Sequence, residues 1–136
     1  MLHEEITSDI INAFYKVYNT LGYGFLEKVY ENALAQELAD RGYMVKQQVP
    51  IQVYYEDKAV GEYFTDLLIE DKVILELKTA ESIAKEHEAQ LINYLKATRI
   101  EIGLLLNFGK APQFKRKIYS NLKQSPKNPR QSVLSA

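Results

Sequence analysis

The first forty residues place apolar side chains at helical spacing. One set predicts a helix that is interrupted by "GYG" at 22–24: Ile6, Ile10, Ile11, Phe14, Val17, Tyr18 and Leu21. A second set predicts another helix: Leu26, Val29, Tyr30, Ala33, Leu34 and Leu38. That helix should stop near Gly42, because glycine readily takes the left-handed conformation that follows a helix.

The spacing then changes to alternation. Val49, Ile51, Val53 and Tyr55 alternate with polar residues, which predicts a strand with one buried face. Pro50 cannot donate to a ladder, so this strand should lie at a sheet edge. Two "EDK" turns, 56–58 and 70–72, separate it from the strands "GEYFTDLLI" and "VILELK". Three successive strands with short turns predict an antiparallel meander.

A third helix is predicted from about Ser82 to Thr98, and it leads into the apolar run 101–108, "EIGLLLNF". Such a run is typical of a strand covered on both faces, and a helical connection suits a parallel crossover. "QFKRKIY", 113–119, fits a last short strand or helix. The chain therefore predicts an α/β fold with a mixed sheet, a meander plus a crossover strand, flanked by helices. We expect one domain over 1–119 and a basic tail over 120–136.

Composition narrows the chemistry. The chain has 136 residues and no cysteine, which excludes disulfides and thiolate metal sites. No apolar run approaches the roughly 18 residues of a membrane helix, so we expect no membrane association and a cytoplasmic location. Seven basic residues and no acid fall in residues 110–136: Lys110, Lys115, Arg116, Lys117, Lys123, Lys127 and Arg130. The rest of the chain is acidic, so metal and phosphate could bind at different places, although a basic end also serves simply to solvate a chain.

Charged residues in the third strand are the strongest candidates for a site. Glu76 and Lys78 share one face, because side chains alternate along a strand. If the preceding turn has three residues, Asp66 lies directly opposite Glu76 and projects to the same side. A two-residue turn would break this cluster, since one step of register moves every side chain to the other face.

Two adjacent carboxylates repel each other unless they share a proton or hold a cation. Mg²⁺ is the natural cation, because it binds one or two carboxylates together with water and substrate phosphates. A neighbouring lysine could orient or deprotonate an attacking water, or stabilise charge on phosphorus. Taken alone, this spacing is weak and also fits a salt-bridged group on an open sheet face.

Two further stretches place polar groups at helical spacing. "GFLEKVY", 24–30, fits Gly-x-x-Glu-x-x-Tyr and puts Glu27 and Tyr30 on one side of a helix. "QLINY", 90–94, puts Gln90 and Tyr94 on one face of the third helix. Taken singly, Gln90 fits a surface amide and Tyr94 a core aromatic.

In combination, four motifs from about Ile6 to Arg116 carry a resemblance: "LGYGFLEKVYENAL", "TD…ELK", "AQLINYLKAT" and "GLLLNFG". The chain resembles the small bacterial and archaeal family named for its Gly-x-x-Glu-x-x-Tyr motif, GxxExxY, within the PD-(D/E)XK nuclease superfamily. The superfamily core is restriction-endonuclease-like, with the order α-β-β-β-α-β. Thr65 stands where the superfamily name has Pro.

The resemblance implies roles for individual residues. Asp66 and Glu76 match the metal-binding acids, and Lys78 matches the catalytic lysine. Glu27 matches an acid on the first core helix that can extend the metal site. Gln90 and Tyr94 resemble a Gln-x-x-x-Tyr element that helps to place the substrate.

The function implied is hydrolysis of nucleic-acid phosphodiesters with Mg²⁺ or Mn²⁺, on DNA in preference to RNA. Phosphate would be attracted by four residues near the basic end: Lys110, Lys115, Arg116 and Lys117. The chain has no room for a separate recognition domain, so sequence specificity would need a partner or a homodimer. The alternative is a non-catalytic nucleic-acid-binding or assembly module that retains the fold, because fold membership does not establish activity.

Overall fold

The computed structural model describes residues 3–120 and contains three helices and five strands in that range. The predicted tail lies outside the described residues from position 121 onward. In chain order the elements are α1 (Glu4–Leu21), α2 (Glu27–Asp40), β1 (Val45–Tyr55), β2 (Lys58–Ile69), β3 (Val73–Lys78), α3 (Lys85–Lys96), β4 (Ile102–Phe108) and β5 (Pro112–Ile118). Among these residues, no helix is both long and apolar enough to cross a membrane.

The five strands form one mixed sheet in the order β1-β2-β3-β4-β5. The first three strands pair antiparallel as a meander, and β4 joins β3 in parallel after the α3 crossover. The segment left open as strand or helix forms β5, which pairs antiparallel with β4 at the edge. The predicted α/β fold with a meander and a crossover strand is therefore confirmed, and β1 lies at an edge as Pro50 required.

Helices cover both faces of the sheet and produce two hydrophobic cores. α1 and α2 pack on one face, against side chains that include Leu75, Leu77 and Leu104. α3 packs on the other face, against Ile74 and Leu105. Gly103 is required for the α3 contact, because a Cβ at this position would lie 2.7 Å from Leu91 Cδ1.

The β1–β2 hairpin changes face half-way along its length. Val45 and Leu67 pack on the α1/α2 side, whereas Val49 and Ile51 pack on the α3 side, although all four positions are odd-numbered. Gln48 lies at this change with a φ of 52°, in the left-handed region. We call residues 49–65 beyond it the hairpin arm. Pairing continues across the change without gaining a residue, because Gln47 pairs with Leu67 and Val49 pairs with Thr65.

Three expected burials are wrong. Tyr55 is 67% exposed, because the end of the arm pairs only with β2 and has no third strand beside it. Leu26 is 80% exposed, since α2 begins only at Glu27, and Val29 is 39% exposed. The inner face of α2 instead includes Glu31, a charged residue.

Candidate active site

The site begins where β2 and β3 separate. These strands pair at Leu67–Leu75, Leu68–Ile74 and Ile69–Val73, which confirms the three-residue turn. The ladder ends there, and Asp66 Oδ2 instead accepts a hydrogen bond from the Leu77 N–H at 2.8 Å. The Asp66 side chain therefore lies in the gap between the strands, whereas alternation predicted that it would stand on the sheet face. We call this gap the fork.

Glu76 lies at the fork in a buried and poorly compensated position. Glu76 is only 5% exposed, and its Oε1 has no hydrogen-bond partner among residues 3–120. Burial raises the pKa of Glu76 well above its ordinary value, and the negative charge of Asp66 adds to this effect. Burial likewise raises the pKa of Asp66, although hydrogen bonds from Leu77 and Gln48 oppose the shift. The fork therefore holds two carboxylates in an environment that disfavours their charge.

Lys78 is the last residue of β3, two positions after Glu76. Its positive charge lowers the pKa values of both Glu76 and Glu27, which partly offsets the rise caused by burial. The Lys78 ammonium is therefore within electrostatic range of both carboxylates. The structure thus brings together the three residues of the predicted cluster, Asp66, Glu76 and Lys78.

The Gly-x-x-Glu-x-x-Tyr stretch brings a further carboxylate toward the fork. Gly24 has a φ of 109°, a backbone conformation that residues with a side chain rarely adopt. Tyr30 is fully buried, stacks on Phe108 with 4.3 Å between ring centroids, and donates to the Gly22 carbonyl at 2.5 Å. The hydrogen bond from Tyr30 holds the loop 22–26 against α2, which begins at Glu27. Glu27 is an exposed residue, but partial burial of its carboxyl and then the charge of Asp66 raise its pKa, so the carboxylate is within electrostatic range of the fork.

α3 supplies the opposite wall of the site. Gln90 Nε2 donates to the Tyr94 hydroxyl at 2.9 Å. The pKa of Tyr94 is raised first by burial and then by the charges of Glu76 and Asp66, so this buried phenol also lies near the fork. Tyr94 is part of the hydrophobic core under α3, and Gln90 is the partly exposed residue that bonds its hydroxyl.

Two residues at the site, Glu31 and Gln48, were not predicted from the sequence. Glu31 is 4% exposed, and its carboxylate accepts hydrogen bonds from Gln47 and Gln48, each at 2.8 Å. Gln48 Nε2 also lies 3.3 Å from Asp66 Oδ1. Glu31 could have been found, because it lies four residues after Glu27 and shares its side of α2. Gln48 could not, since a polar residue in an edge strand is ordinary.

A family profile described as the PD-(D/E)XK nuclease superfamily matches residues 4–118. The chain belongs to the PD-(D/E)XK nuclease superfamily.

Other comparisons are more distant. No curated protein matches the chain. A solved structure entitled "Crystal structure of SSO0001" is similar, with 16% sequence identity and a TM-score of 0.47. The similarity covers 80% of this chain, which spans about 65% of the length of that protein.

Members of this superfamily commonly use divalent metals. The carboxylates at the fork are the residues that could bind such a cation. Among residues 3–120, no three acidic or histidine side chains converge closely enough to form a ready metal site. Mg²⁺, however, needs only one or two protein carboxylates when water and substrate complete its shell. Asp66 and Glu76 meet that requirement, and the unpartnered Glu76 Oε1 is an oxygen still free to act as a ligand. The residues present therefore fit a divalent cation.

The four basic residues predicted to attract phosphate do not form one patch in this superfamily member. In β5, Lys115 and Lys117 pair with Leu105 and Gly103, whereas Arg116 pairs with Leu104 and faces the opposite side. Arg116 Nη2 donates to Thr7 Oγ1 at 3.2 Å on the α1 side. Lys117 forms an ion pair with Glu88 at 2.5 Å, and Lys110 precedes β5 in a turn.

Lys115 is the basic residue best placed relative to the fork. Glu76 pairs with Leu105, and Leu105 pairs with Lys115, so the three form one row across the sheet. Adjacent strands are about 4.8 Å apart, which puts the Cα atoms of Glu76 and Lys115 about 10 Å apart on the same face.

Proposed function

We propose that the protein is a metal-dependent nuclease of the GxxExxY family that hydrolyses phosphodiester bonds in nucleic acid. The observation that carries this proposal is the unpartnered, buried Glu76 Oε1 beside Asp66 and Lys78. A purely structural ion pair would satisfy each carboxylate oxygen, because an unpaired buried polar group is costly. Two neighbouring acids, one buried and one partly buried, whose pKa values are both raised are typical of a functional site.

In this proposal, Asp66 and Glu76 would hold Mg²⁺ or Mn²⁺, and Glu27 would extend the metal site from α2. A bound divalent cation would supply Lewis acidity toward the phosphate and lower the pKa of a water ligand. Lys78 would orient the attacking water or stabilise negative charge on the scissile phosphate. Gln90 and Tyr94, which are hydrogen-bonded to each other, would position the substrate from the α3 side.

The substrate proposed is DNA in preference to RNA, in a cytoplasmic protein that could act as a homodimer. The acidic fork repels phosphate, so a basic surface must attract the substrate. Lys115 is proposed as the main contact, because it shares a face and a row with Glu76. Lys110 and Lys117 would contribute less, since Lys117 already pairs with Glu88, and Arg116 least, because it faces α1.

A cleavage assay tests the proposed activity. Wild type, Asp66→Asn and Glu76→Gln are incubated with single- and double-stranded DNA and RNA, with Mg²⁺, Mn²⁺ or chelator. We expect metal-dependent cleavage by wild type and a loss of at least 100-fold in either variant. Asp71→Asn is the control, because Asp71 is an exposed acid in the same hairpin that pairs with Lys46 at 2.7 Å. Nucleic-acid binding by wild type without cleavage would contradict the proposal and indicate a non-catalytic binding module.

The basic surface has its own test. Binding of a DNA oligonucleotide is measured over a range of salt concentrations for wild type, Lys115→Ala and Arg116→Ala. Each neutralised phosphate contributes roughly −0.7 to −0.9 to the slope of log affinity against log salt. We expect Lys115→Ala to reduce the slope by about that amount and Arg116→Ala to leave it unchanged. A larger effect of Arg116→Ala would place the nucleic acid on the α1 side instead.

A further inference from the structure

We propose that Gln48 is a positioning residue that holds the Asp66 carboxylate in the fork by bridging it to the buried carboxylate of Glu31. The expected effect of Gln48 on metal binding at Asp66 rests on the proposed function. The bridge itself concerns only the arrangement of three side chains and can be tested without metal or substrate.

The carboxamide of Gln48 lies between two carboxylates. Its Nε2 is 2.8 Å from Glu31 Oε1 and 3.3 Å from Asp66 Oδ1, and an amide nitrogen has two hydrogens to donate. The negative charge of Glu31 raises the pKa of Asp66, whereas the hydrogen bond from Gln48 lowers it. Gln48 thus joins two groups that would otherwise repel each other, and it adds no positive charge that would compete with a cation.

The Glu31 end of the bridge is fixed. Lys28 forms an ion pair with Glu31 Oε2 at 2.9 Å, and Gln47 Nε2 donates to the same oxygen at 2.8 Å. Because Glu31 is almost fully buried in α2, its position is set by the packing of the helix. Gln48 therefore has a rigid acceptor against which it can hold Asp66.

The backbone of Gln48 is an independent observation. A φ of 52° is unfavourable for any residue with a side chain, and glycine would adopt it without strain. Other non-glycine residues with positive φ, such as Glu56 and Asp57, lie in turns. Gln48 instead lies within β1, between paired residues on both sides. Glycine would serve the change of face equally well, so the strain is explained by what the carboxamide does.

The Asp66 end of the bridge reaches β3. Asp66 uses Oδ1 toward Gln48 and Oδ2 toward the Leu77 N–H, one residue after Glu76. If Gln48 holds the carboxylate in place, the Leu77 hydrogen bond depends on Gln48. The exchange rate of the Leu77 amide hydrogen is therefore a direct readout of the position of Asp66.

The experiment compares wild type, Gln48→Gly and Gln48→Met, all free of metal, by amide hydrogen exchange. Gln48→Gly removes the carboxamide and the backbone strain, whereas Gln48→Met removes only the hydrogen-bonding group. We expect the Leu77 amide to exchange at least tenfold faster in both variants, while Leu75 in the same strand changes less. We also expect Gln48→Gly to lose less thermal stability than Gln48→Met, because both variants lose the same hydrogen bonds and only glycine relieves the positive-φ strain.

Asp57→Gly is the matched control, because it removes positive-φ strain at the far end of the same hairpin, where φ is 69°. We expect it to leave Leu77 exchange unchanged. Mn²⁺ affinity, measured by calorimetry, should fall about 10- to 100-fold in both Gln48 variants, as is usual when a group that orients a metal ligand is lost, and should not change in Asp57→Gly.

Unchanged Leu77 exchange in Gln48→Gly and Gln48→Met would overturn the inference. Equal acceleration of Leu75 and Leu77 would also overturn it, because Gln48 would then support the fold alone. If wild type binds no Mn²⁺, the proposed metal site fails, and the exchange data still decide whether Gln48 positions Asp66.

Discussion

Acidic residues occur in two contrasting settings in this protein. Between α1 and α2, Arg41 contacts Asp9 at 2.8 Å and Glu37 at 2.9 Å, and Tyr43 donates to the other oxygen of Asp9 at 2.7 Å. We call this group the Arg41 cluster. At the fork, Glu76 is only 5% exposed, and its Oε1 has no partner in the described chain.

The two settings shift the pKa values of their carboxyl groups in opposite directions. The Tyr43 hydrogen bond and Arg41 hold the pKa of Asp9 below its ordinary value, and Arg41 does the same for Glu37. Burial raises the pKa values of Asp66 and Glu76. The protein compensates Asp9 and Glu37 with Arg41 but leaves Glu76 Oε1 without a hydrogen-bond partner in the described chain, an arrangement that is typical of a functional site.

The largest expected effect is on the cleavage rate when the positive charge of Lys78 is removed. Lys78→Met keeps most of the side-chain volume and removes the charge. We expect cleavage to fall by about 10²- to 10⁴-fold, the usual contribution of a group that transfers a proton, while Mn²⁺ affinity changes far less. Lys46→Met is the control, because Lys46 pairs with an exposed acid in the turn after β2. An equal loss of cleavage in Lys78→Met and Lys46→Met would show that Lys78 has no specific role in the reaction.

A smaller effect is expected on stability at the fork in the absence of metal. The raised pKa of Glu76 means that the folded state favours the protonated acid, so its contribution is present at low pH and lost as pH rises through that pKa. Glu76→Gln should therefore stabilise the protein at neutral pH by about 1–3 kcal/mol, the usual cost of a buried unsatisfied group. The gain should disappear as pH falls toward the ordinary glutamate value of about 4.3. Urea unfolding at several pH values measures it.

The Arg41 cluster should show the opposite sign and a smaller effect. The lowered pKa of Asp9 means that its contribution is present above the ordinary aspartate value of about 3.9 and is lost as pH falls through the folded-state pKa. Asp9→Asn should destabilise the protein at neutral pH by less than about 1 kcal/mol, because the pair is partly exposed. The same urea series measures it, and a gain in stability would contradict the comparison.

Local patterns predicted the fold and the register at the fork. Alternation and short turns predicted the meander, and the three-residue turn at 70–72 is confirmed, but the ladder ends at Leu67 and Asp66 lies in the gap and not on the sheet face. The apolar run 101–108 predicted a fully covered strand, and every residue of β4 is buried. These features depend on neighbours in sequence, which a single chain displays.

Other features of the site depend on long-range packing. Periodicity put Leu26 and Val29 on the inner face of α2, but Tyr30 and Phe108 fix its rotation and place Glu31 inside instead. The left-handed Gln48 was invisible, because nothing in the local sequence requires the hairpin to change face there. Strand alternation alone also cannot show that Arg116 faces α1 while Lys115 faces α3, unless the neighbouring strand is known.

Metal-dependent stabilisation tests the central claim most directly. Unfolding of wild type, Glu76→Gln and Asp9→Asn is measured with and without Mn²⁺. A ligand that binds only the folded state stabilises it by about 2.7 kcal/mol at 100 times its dissociation constant. We predict that Mn²⁺ at such a concentration stabilises wild type and Asp9→Asn to the same extent and leaves Glu76→Gln unchanged. Equal stabilisation of all three proteins, or none of wild type, would contradict the assignment of the fork as a metal site.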